Sequence, residues 1–217
     1  MTNGALWGVV CIWGPGLGGV VMRAFLCIRV PQPLWPAVER LQGALGCGRA
    51  VAGENLHLTL VFLGDLGLPE LEAVHEALEG LRLAPFVLEP AGLEVLGGAE
   101  RPEALALGLR PSPALEALQA KCMQAVRRAG VALERRRFRP HVTIARFGAR
   151  FDAGQAQRLG RLLQAHGDVV LPEWRVGRLA LMRSHLGHEG ASYEVLAEYP
   201  QDYPGDLPGA GAWQNPA

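Results

Sequence analysis

The sequence has no net charge and almost no lysine. Its 217 residues include 21 basic and 21 acidic side chains, and Lys121 is the single lysine. A chain without excess charge has no overall field to attract nucleic acid or an anionic membrane, so any such affinity must come from a local cluster. Hydrophobic residues make up 49% of the chain and charged residues 19%, which favours a globular fold over a disordered chain.

Cysteines are also few, and they are scattered. The four thiols form neither a CxxC motif nor a zinc-ligand spacing: Cys11, Cys27, Cys47 and Cys122. This pattern indicates reduced thiols in a cytosolic protein and argues against a disulfide framework. We therefore expect a cytoplasmic protein.

The two ends of the chain lack the features of a structured domain. Residues 1–21 are apolar but contain no Lys or Arg and are broken by glycines and Pro15, so they fit neither a secretory signal nor a membrane span. Residues 204–217 are rich in Gly and Pro, which is typical of a loose tail. We therefore expect an N-terminal extension over 1–21, a single domain over 22–203 and a C-terminal tail.

Strands and helices alternate through this domain. Apolar stripes at helical spacing predict helices near residues 34–45, 69–81, 113–130 and 152–167. Segments rich in strand-forming residues predict strands over 23–30, 56–63, 86–96, 104–109, 141–147, 171–182 and 193–199. The short linkers between these elements are typical of a compact α+β fold.

One short motif occurs twice, 84 residues apart. The first copy, at 56–64, has the sequence LHLTLVFLG, and the second, at 140–148, has the sequence PHVTIARFG. Each copy places histidine, an aliphatic residue, threonine and another aliphatic residue in the same frame. Because helices and strands also follow in similar order around both copies, we expect two half-domains related by an approximate two-fold axis.

Each copy of the motif predicts a polar strand face. Side chains alternate across a strand, so His57 projects with Thr59, and His141 projects with Thr143. A two-fold pairing of the half-domains would bring both sets into one cleft. Near neutral pH one imidazole can accept a proton while the other donates one, and the hydroxyls can donate to the oxygens of a tetrahedral anion. The pattern favours cleavage of a phosphodiester without metal or cofactor.

Arginines near the second motif are candidate substrate-binding residues. Arg146 follows Thr143 by three positions and lies on the opposite face of a regular strand, from which it reaches a phosphate only through a bulge or twist. The segment 135–139, RRRFR, offers cations, including Arg139, and an aromatic ring to an RNA end. A solvated charged face is an equally good interpretation of this segment.

Two further histidines lie close together near the end of the domain. His185 and His188 fall in a predicted hairpin loop, Ser184–Gly190, next to Glu189. These side chains are metal-ligand types, but no third ligand has the expected spacing. We therefore predict no metal site here, and the sequence leaves open whether the two histidines contact substrate.

The fuller motif strings carry a family resemblance. NLHLTLVFLG at 55–64 and RPHVTIAR at 139–146 resemble the two-histidine (2H) phosphoesterases, and among them the bacterial and archaeal RNA 2′,3′-cyclic phosphodiesterases, once called 2′-5′ RNA ligases. The string MRAFLCI that starts at Met22 is also similar, so the resemblance covers about residues 22–200. It implies a bilobal α+β fold: two pseudo-two-fold-related lobes of antiparallel sheet, with helices packed outside and a central cleft.

The resemblance also implies an activity and its residues. The expected reaction is hydrolysis of RNA 2′,3′-cyclic phosphate ends to 2′-phosphates, with His57 as proton donor to the leaving 3′ oxygen and His141 as the base that activates water. Thr59 and Thr143 match the family's phosphate-binding threonines. The residues alone do not assign which histidine is the acid.

The expected partners are RNA or nucleotide ends bearing a 2′,3′-cyclic phosphate, with no cofactor, no membrane and no obligate protein partner. Two alternatives stay open. The same acid and base could join such an end to a 5′-hydroxyl as a 2′-5′ linkage, or the chain could bind RNA ends through the arginine segment without catalysis.

Overall fold

Ten strands and four α-helices make up the part of the chain that the computed structural model describes, residues 21–98, 100–134, 137–187 and 190–200. The strands are β1 (Met22–Arg29), β2 (Arg49–Ala50), β3 (His57–Leu66), β4 (Phe86–Leu88), β5 (Pro90–Gly97), β6 (Pro102–Leu109), β7 (His141–Arg146), β8 (Trp174–Val176), β9 (Leu179–Gly187) and β10 (Gly190–Tyr199). The helices are α1 (Trp35–Leu45), α2 (Leu68–Glu79), α3 (Pro113–Arg128) and α4 (Ala153–His166). Outside the described residues lie the predicted extension apart from Val21, the predicted tail, Arg135, Arg136, His188 and Glu189.

All four predicted helices are present. The first residues of α3 and α4 are stabilised by capping side chains. The Ser112 hydroxyl accepts the Leu115 N–H at 3.3 Å and caps α3. At α4, Asp152 Oδ1 accepts the Gln155 N–H at 2.8 Å while Gln155 Oε1 accepts the Asp152 N–H at 3.2 Å. This reciprocal pair is a capping box, and it satisfies two backbone donors that have no partner within the helix.

Two predicted strands are each divided in the structure. Segment 86–96 forms β4 and β5, and segment 171–182 forms β8 and β9. The pieces β4 and β8 pair with each other in a separate two-stranded sheet, while β5 and β9 belong to the main sheet. Each break is short, Glu89 in the first segment and Gly177 with Arg178 in the second, and apolar residues stand on both sides of it because both sheets bury side chains.

The predicted hairpin loop at Ser184–Gly190 is wrong in its extent. β9 continues to Gly187 and β10 begins at Gly190, so His185 lies in a strand. The Nε2 atom of His185 lies 2.9 Å from Glu194 Oε2 on the neighbouring strand. Polar side chains on both strands conceal the period-two apolar pattern by which a strand is usually recognised.

The main sheet is antiparallel, with strand order β10-β9-β1-β3-β7-β6-β5 and with β2 paired to β7. Its two lobes repeat one order of elements, because β1-α1-β3-α2 is followed later in the chain by β6-α3-β7-α4. Each lobe receives a helix from the other: α1 packs against β7 and α4, and α3 packs against β3 and α2. The motif strands β3 and β7 are neighbours at the centre of the sheet.

The helices cover one face of this sheet. The buried residues of all four helices belong to one apolar core, which also contains Leu58 and Val142 from the two motif strands. The opposite face carries a second, small buried cluster: Phe25, Cys27, Ala180 and Met182. None of the helices in the described ranges combines the length and the apolar character that a membrane span requires.

Candidate active site

The two motif strands meet at one residue pair, Leu58 opposite Val142. Both side chains are fully buried on the helix-covered face. Because side chains alternate along a strand, the residues on either side of this pair point to the opposite face. The four residues so placed are His57, Thr59, His141 and Thr143. If the antiparallel register continues from the central pair, each histidine stands opposite the threonine of the other motif.

A bulge interrupts each motif strand just after its threonine. The pairing of β3 with β1 skips Leu60, and the pairing of β7 with β6 skips Ile144. A bulge adds one residue to the strand and so shifts the alternation. As a result Phe62 and Arg146, each three positions after a threonine, lie on the same face as the threonines. The bulge that Arg146 needs in order to face the site is therefore present.

Both histidine rings are held by the same kind of backbone contact. Nδ1 of His57 lies 2.7 Å from the carbonyl oxygen of Asn55, and Nδ1 of His141 lies 2.7 Å from that of Arg139. A carbonyl can only accept, so each Nδ1 carries the proton and each Nε2 is left as the nitrogen with a free lone pair. The acceptor is two residues before the histidine in both cases, so the two-fold repeat extends to this contact.

Aromatic rings surround His57 on its own lobe. The Phe25 ring centre lies 4.8 Å from the imidazole centre, and the Tyr193 ring lies 5.0 Å from it at nearly a right angle. The Phe62 ring centre lies 6.4 Å from that of Phe25, and Phe62 is 63% exposed. The sequence analysis did not predict these rings as site residues. Alternation along β1 does place Phe25 on the sheet face opposite to that of its two neighbours in the strand, which belong to the helix-covered core.

This environment shifts the proton equilibrium of His57. Burial lowers the pKa of His57 to about 4; the hydrogen bond to Asn55 opposes this shift, and the charges of Arg146 and His141 add to it. Near neutral pH the His57 imidazole of the free protein is therefore uncharged. A bound anion would reverse the effect of the neighbouring cations, because negative charge favours the protonated imidazole.

We expect an anion in this site to raise the pKa of His57. An NMR titration of the His57 ring should give an apparent pKa near 4 in the free protein and a higher value when inorganic phosphate is added. A His57→Gln protein, which lacks the resonance, assigns it. If saturating phosphate left the His57 titration unmoved, the anion would not bind beside this ring.

The two candidate arginines differ in their surroundings. The Arg139 Nε donates to Glu94 Oε2 at 3.0 Å, so its guanidinium is already engaged, and its carbonyl holds His141. Arg146 is exposed at the end of β7, and no ion pair to it is found among the described residues. A substrate contact of either guanidinium stays a prediction.

The remaining polar clusters give no metal site within the described ranges, where no group of three or more His, Cys, Asp and Glu side chains has suitable geometry. His185 is exposed and pairs with Glu194. His188 and Glu189 lie outside these ranges.

Solved structures share this fold. A Thermus thermophilus protein is 26% identical and superposes with a TM-score of 0.65 over 82% of this chain and 96% of its own. Escherichia coli LigT, solved in complex with 3′-AMP, is 22% identical, with a TM-score of 0.66 over 83% of this chain and 98% of its own. The predicted α+β fold is confirmed. A sheet that carries one His/Thr pair on each of two neighbouring strands is the arrangement of the two-histidine phosphoesterase class.

Sequence comparison is more specific. The chain belongs to the 2′-5′ RNA ligase superfamily, whose family model matches residues 30–188. A protein of Aeropyrum pernix named RNA 2′,3′-cyclic phosphodiesterase is 30% identical over 152 residues, which is 69% of this chain and 84% of that protein. An Aquifex aeolicus protein of the same name is 28% identical over 186 residues, covering 82% of this chain and 97% of its own. The family resemblance seen in the two motifs is confirmed.

Proposed function

We propose that this protein hydrolyses RNA 2′,3′-cyclic phosphate ends to 2′-phosphates by a metal-independent acid/base mechanism. The observation that carries the proposal is the central pair of β3 and β7, around which two His/Thr sets share one sheet face. Its relatives named RNA 2′,3′-cyclic phosphodiesterase support the same substrate class. We assign the activity to a domain over residues 22–203 and, from the scattered spacing of the cysteines in the sequence, to the cytoplasm.

The reaction needs one proton taken and one proton given. His141 accepts a proton from water through Nε2 while the water oxygen attacks phosphorus, and the bond from phosphorus to the 3′ oxygen breaks. His57 gives its Nε2 proton to that leaving oxygen, so the products are a 2′-phosphomonoester and a 3′-hydroxyl. The anion bound beside His57 favours the imidazolium form that donation requires.

The threonines and Arg146 stabilise the phosphate as its charge redistributes. Two hydroxyls, one from each lobe, can donate to the non-bridging oxygens. Neither the Thr59 nor the Thr143 hydroxyl forms a hydrogen bond with another described residue. Arg146 adds a cation on the same face. A strained cyclic diester needs positioning and proton transfer more than it needs a metal's charge.

The aromatic surface next to His57 supports a nucleotide substrate. Phe62 and Tyr193 belong to the aromatic group around Phe25 on the site face. A nucleobase stacks on such rings with roughly 1–3 kcal/mol per base and little preference for base identity. This suits an enzyme that acts on RNA ends of varied sequence, and we propose that the terminal base lies here.

The experiment is incubation of the purified protein with a 2′,3′-cyclic nucleotide in excess EDTA, followed by chromatographic separation of the 2′- and 3′-phosphate products. We expect turnover to persist in the chelator and the 2′-phosphate to accumulate, because the protons are moved by imidazoles alone. Turnover that required an added divalent cation, or a 3′-phosphate product, would contradict the mechanism.

The same assay separates the alternatives. Adding a second RNA with a 5′-hydroxyl end tests for 2′-5′ joining, which uses the same groups in reverse. A protein that only binds RNA ends would show salt-sensitive affinity and no product.

A further inference from the structure

A second arginine lies beside Arg146. The short strand β2 pairs with the end of β7, with Arg49 opposite Arg146 and Ala50 opposite Ala145. Directly opposed residues of an antiparallel pair point to the same face, with Cβ atoms about 4.5–5.5 Å apart. Because the β7 bulge turns Arg146 towards the face of the histidines, Arg49 lies on that face too.

This pairing places two like charges together, and none of the described acidic residues forms an ion pair with either. Like charges that stand directly opposite each other destabilise a sheet. Both arginines are exposed. An anion bound beside Arg49 would relieve the repulsion.

The backbone around Arg49 is fixed by close packing against β7. Gly48 has φ +73°, and a Cβ atom there would lie 2.9 Å from the Phe147 ring and 3.0 Å from the Arg146 carbonyl oxygen, so only glycine fits. After β2, the Val51 N–H donates to the Ile144 carbonyl at 2.9 Å. The backbone of Arg49 is therefore fixed by contacts both before and after it in the chain.

One side chain from the helix layer completes this attachment. The Gln42 amide nitrogen of α1 donates to the carbonyl oxygens of Val51 at 2.7 Å and Ile144 at 2.8 Å. It thereby joins the segment that follows β2 to the bulge of β7. The position of Arg49 relative to Arg146 is set by rigid elements and does not depend on a free loop.

Arg49 lies on the strand next to Arg146, beyond the position proposed for the reacting phosphate. Arg146 follows Thr143 by three residues, which is roughly 10 Å of regular strand and less across a bulge. An anion bound by Arg49 is therefore a second anion, displaced along the sheet from the reacting phosphate. In an RNA strand, the nearest such group is the phosphodiester that joins the terminal nucleotide to the one before it.

We propose that Arg49 binds this upstream phosphodiester and makes the protein prefer the end of an RNA strand over a mononucleotide, while Arg146 beside it stays with the reacting phosphate. The inference rests on the proposed cyclic phosphodiesterase function. The planar guanidinium suits the task because it can donate two parallel hydrogen bonds to phosphate oxygens.

The test compares kcat/KM for a 2′,3′-cyclic mononucleotide and for a trinucleotide ending in the same cyclic nucleotide. We expect the wild-type protein to favour the trinucleotide and Arg49→Ala to lower the ratio of the two values about ten-fold, as one charged hydrogen bond is lost. The salt dependence of the trinucleotide reaction should also become shallower, by a slope of about 0.7 for one phosphate contact in single-stranded RNA.

Two variants control this comparison. Arg161→Ala, which removes an exposed charge on α4, should leave the ratio unchanged. Arg49→Lys should retain part of the preference for the trinucleotide because the positive charge remains. Equal ratios in wild type and Arg49→Ala, while both substrates are hydrolysed, would overturn the inference alone. Failure of the wild-type protein to hydrolyse either substrate would overturn the proposed function and this inference with it.

Discussion

Replacing either histidine of the site with alanine should lower kcat about 10²–10⁴-fold, since general acid or base catalysis contributes this much per group. His57→Ala removes the proton donor for the leaving 3′ oxygen, and His141→Ala removes the base for water. Both steps occur in one transition state, so the double variant should be only slightly slower than the slower single variant. Steady-state kinetics with a 2′,3′-cyclic nucleotide measure all three.

Glutamine provides a matched control for each histidine. Its side-chain amide can donate to the carbonyl of Asn55 or Arg139, as Nδ1 does, but it cannot exchange a proton near neutral pH. His57→Gln and His141→Gln should therefore fold with nearly unchanged thermal stability and remain as inactive as the alanine variants. Turnover near the wild-type rate in either glutamine variant would refute the proposed acid/base pair.

The central arrangement of this site could be predicted from sequence because it depends on two simple periodicities. Alternation along a strand puts each histidine on the face of its threonine, and the 84-residue repeat pairs the two strands. Helix starts were equally readable, since Ser112 and Asp152 cap helices through their own side chains.

The features that the sequence concealed depend on backbone geometry. The carbonyls of Asn55 and Arg139 orient the two imidazoles, and a backbone acceptor leaves no mark in the sequence. The bulge at Ile144, which decides the face of Arg146, follows from pairing with β6, which lies more than 30 residues earlier in the chain. Alternation alone gives the wrong face for any residue beyond such a bulge.

Strand β2 shows the same limit at the edge of the site. Two residues are too few to carry a periodic pattern, so the sequence gives no sign of this strand or of the pairing between Arg49 and Arg146. Tertiary contacts from Gln42 and Val51 define the strand instead. Residues near an active site that belong to such short segments become visible only in the folded structure.

Removing the threonine hydroxyls should have the second largest effect. Thr59→Val and Thr143→Val keep the shape and the strand preference of the side chain but delete one donor to the phosphate oxygens. Loss of one such preorganised donor costs about 10²–10³-fold in kcat where the charge develops on the contacted oxygen. The two-fold arrangement about Leu58 and Val142 predicts losses of similar size for the two variants.

The matched control is serine, which keeps the hydroxyl and loses only a methyl group. Thr59→Ser and Thr143→Ser should retain most of the activity that the valine variants lose. Stability should change little in the valine variants, because no described residue is left without its hydrogen-bond partner when the hydroxyl is removed. Valine variants as active as the serine variants would show that the hydroxyls do not contact the reacting phosphate, and the anion would then have to be bound by the histidines and Arg146 alone.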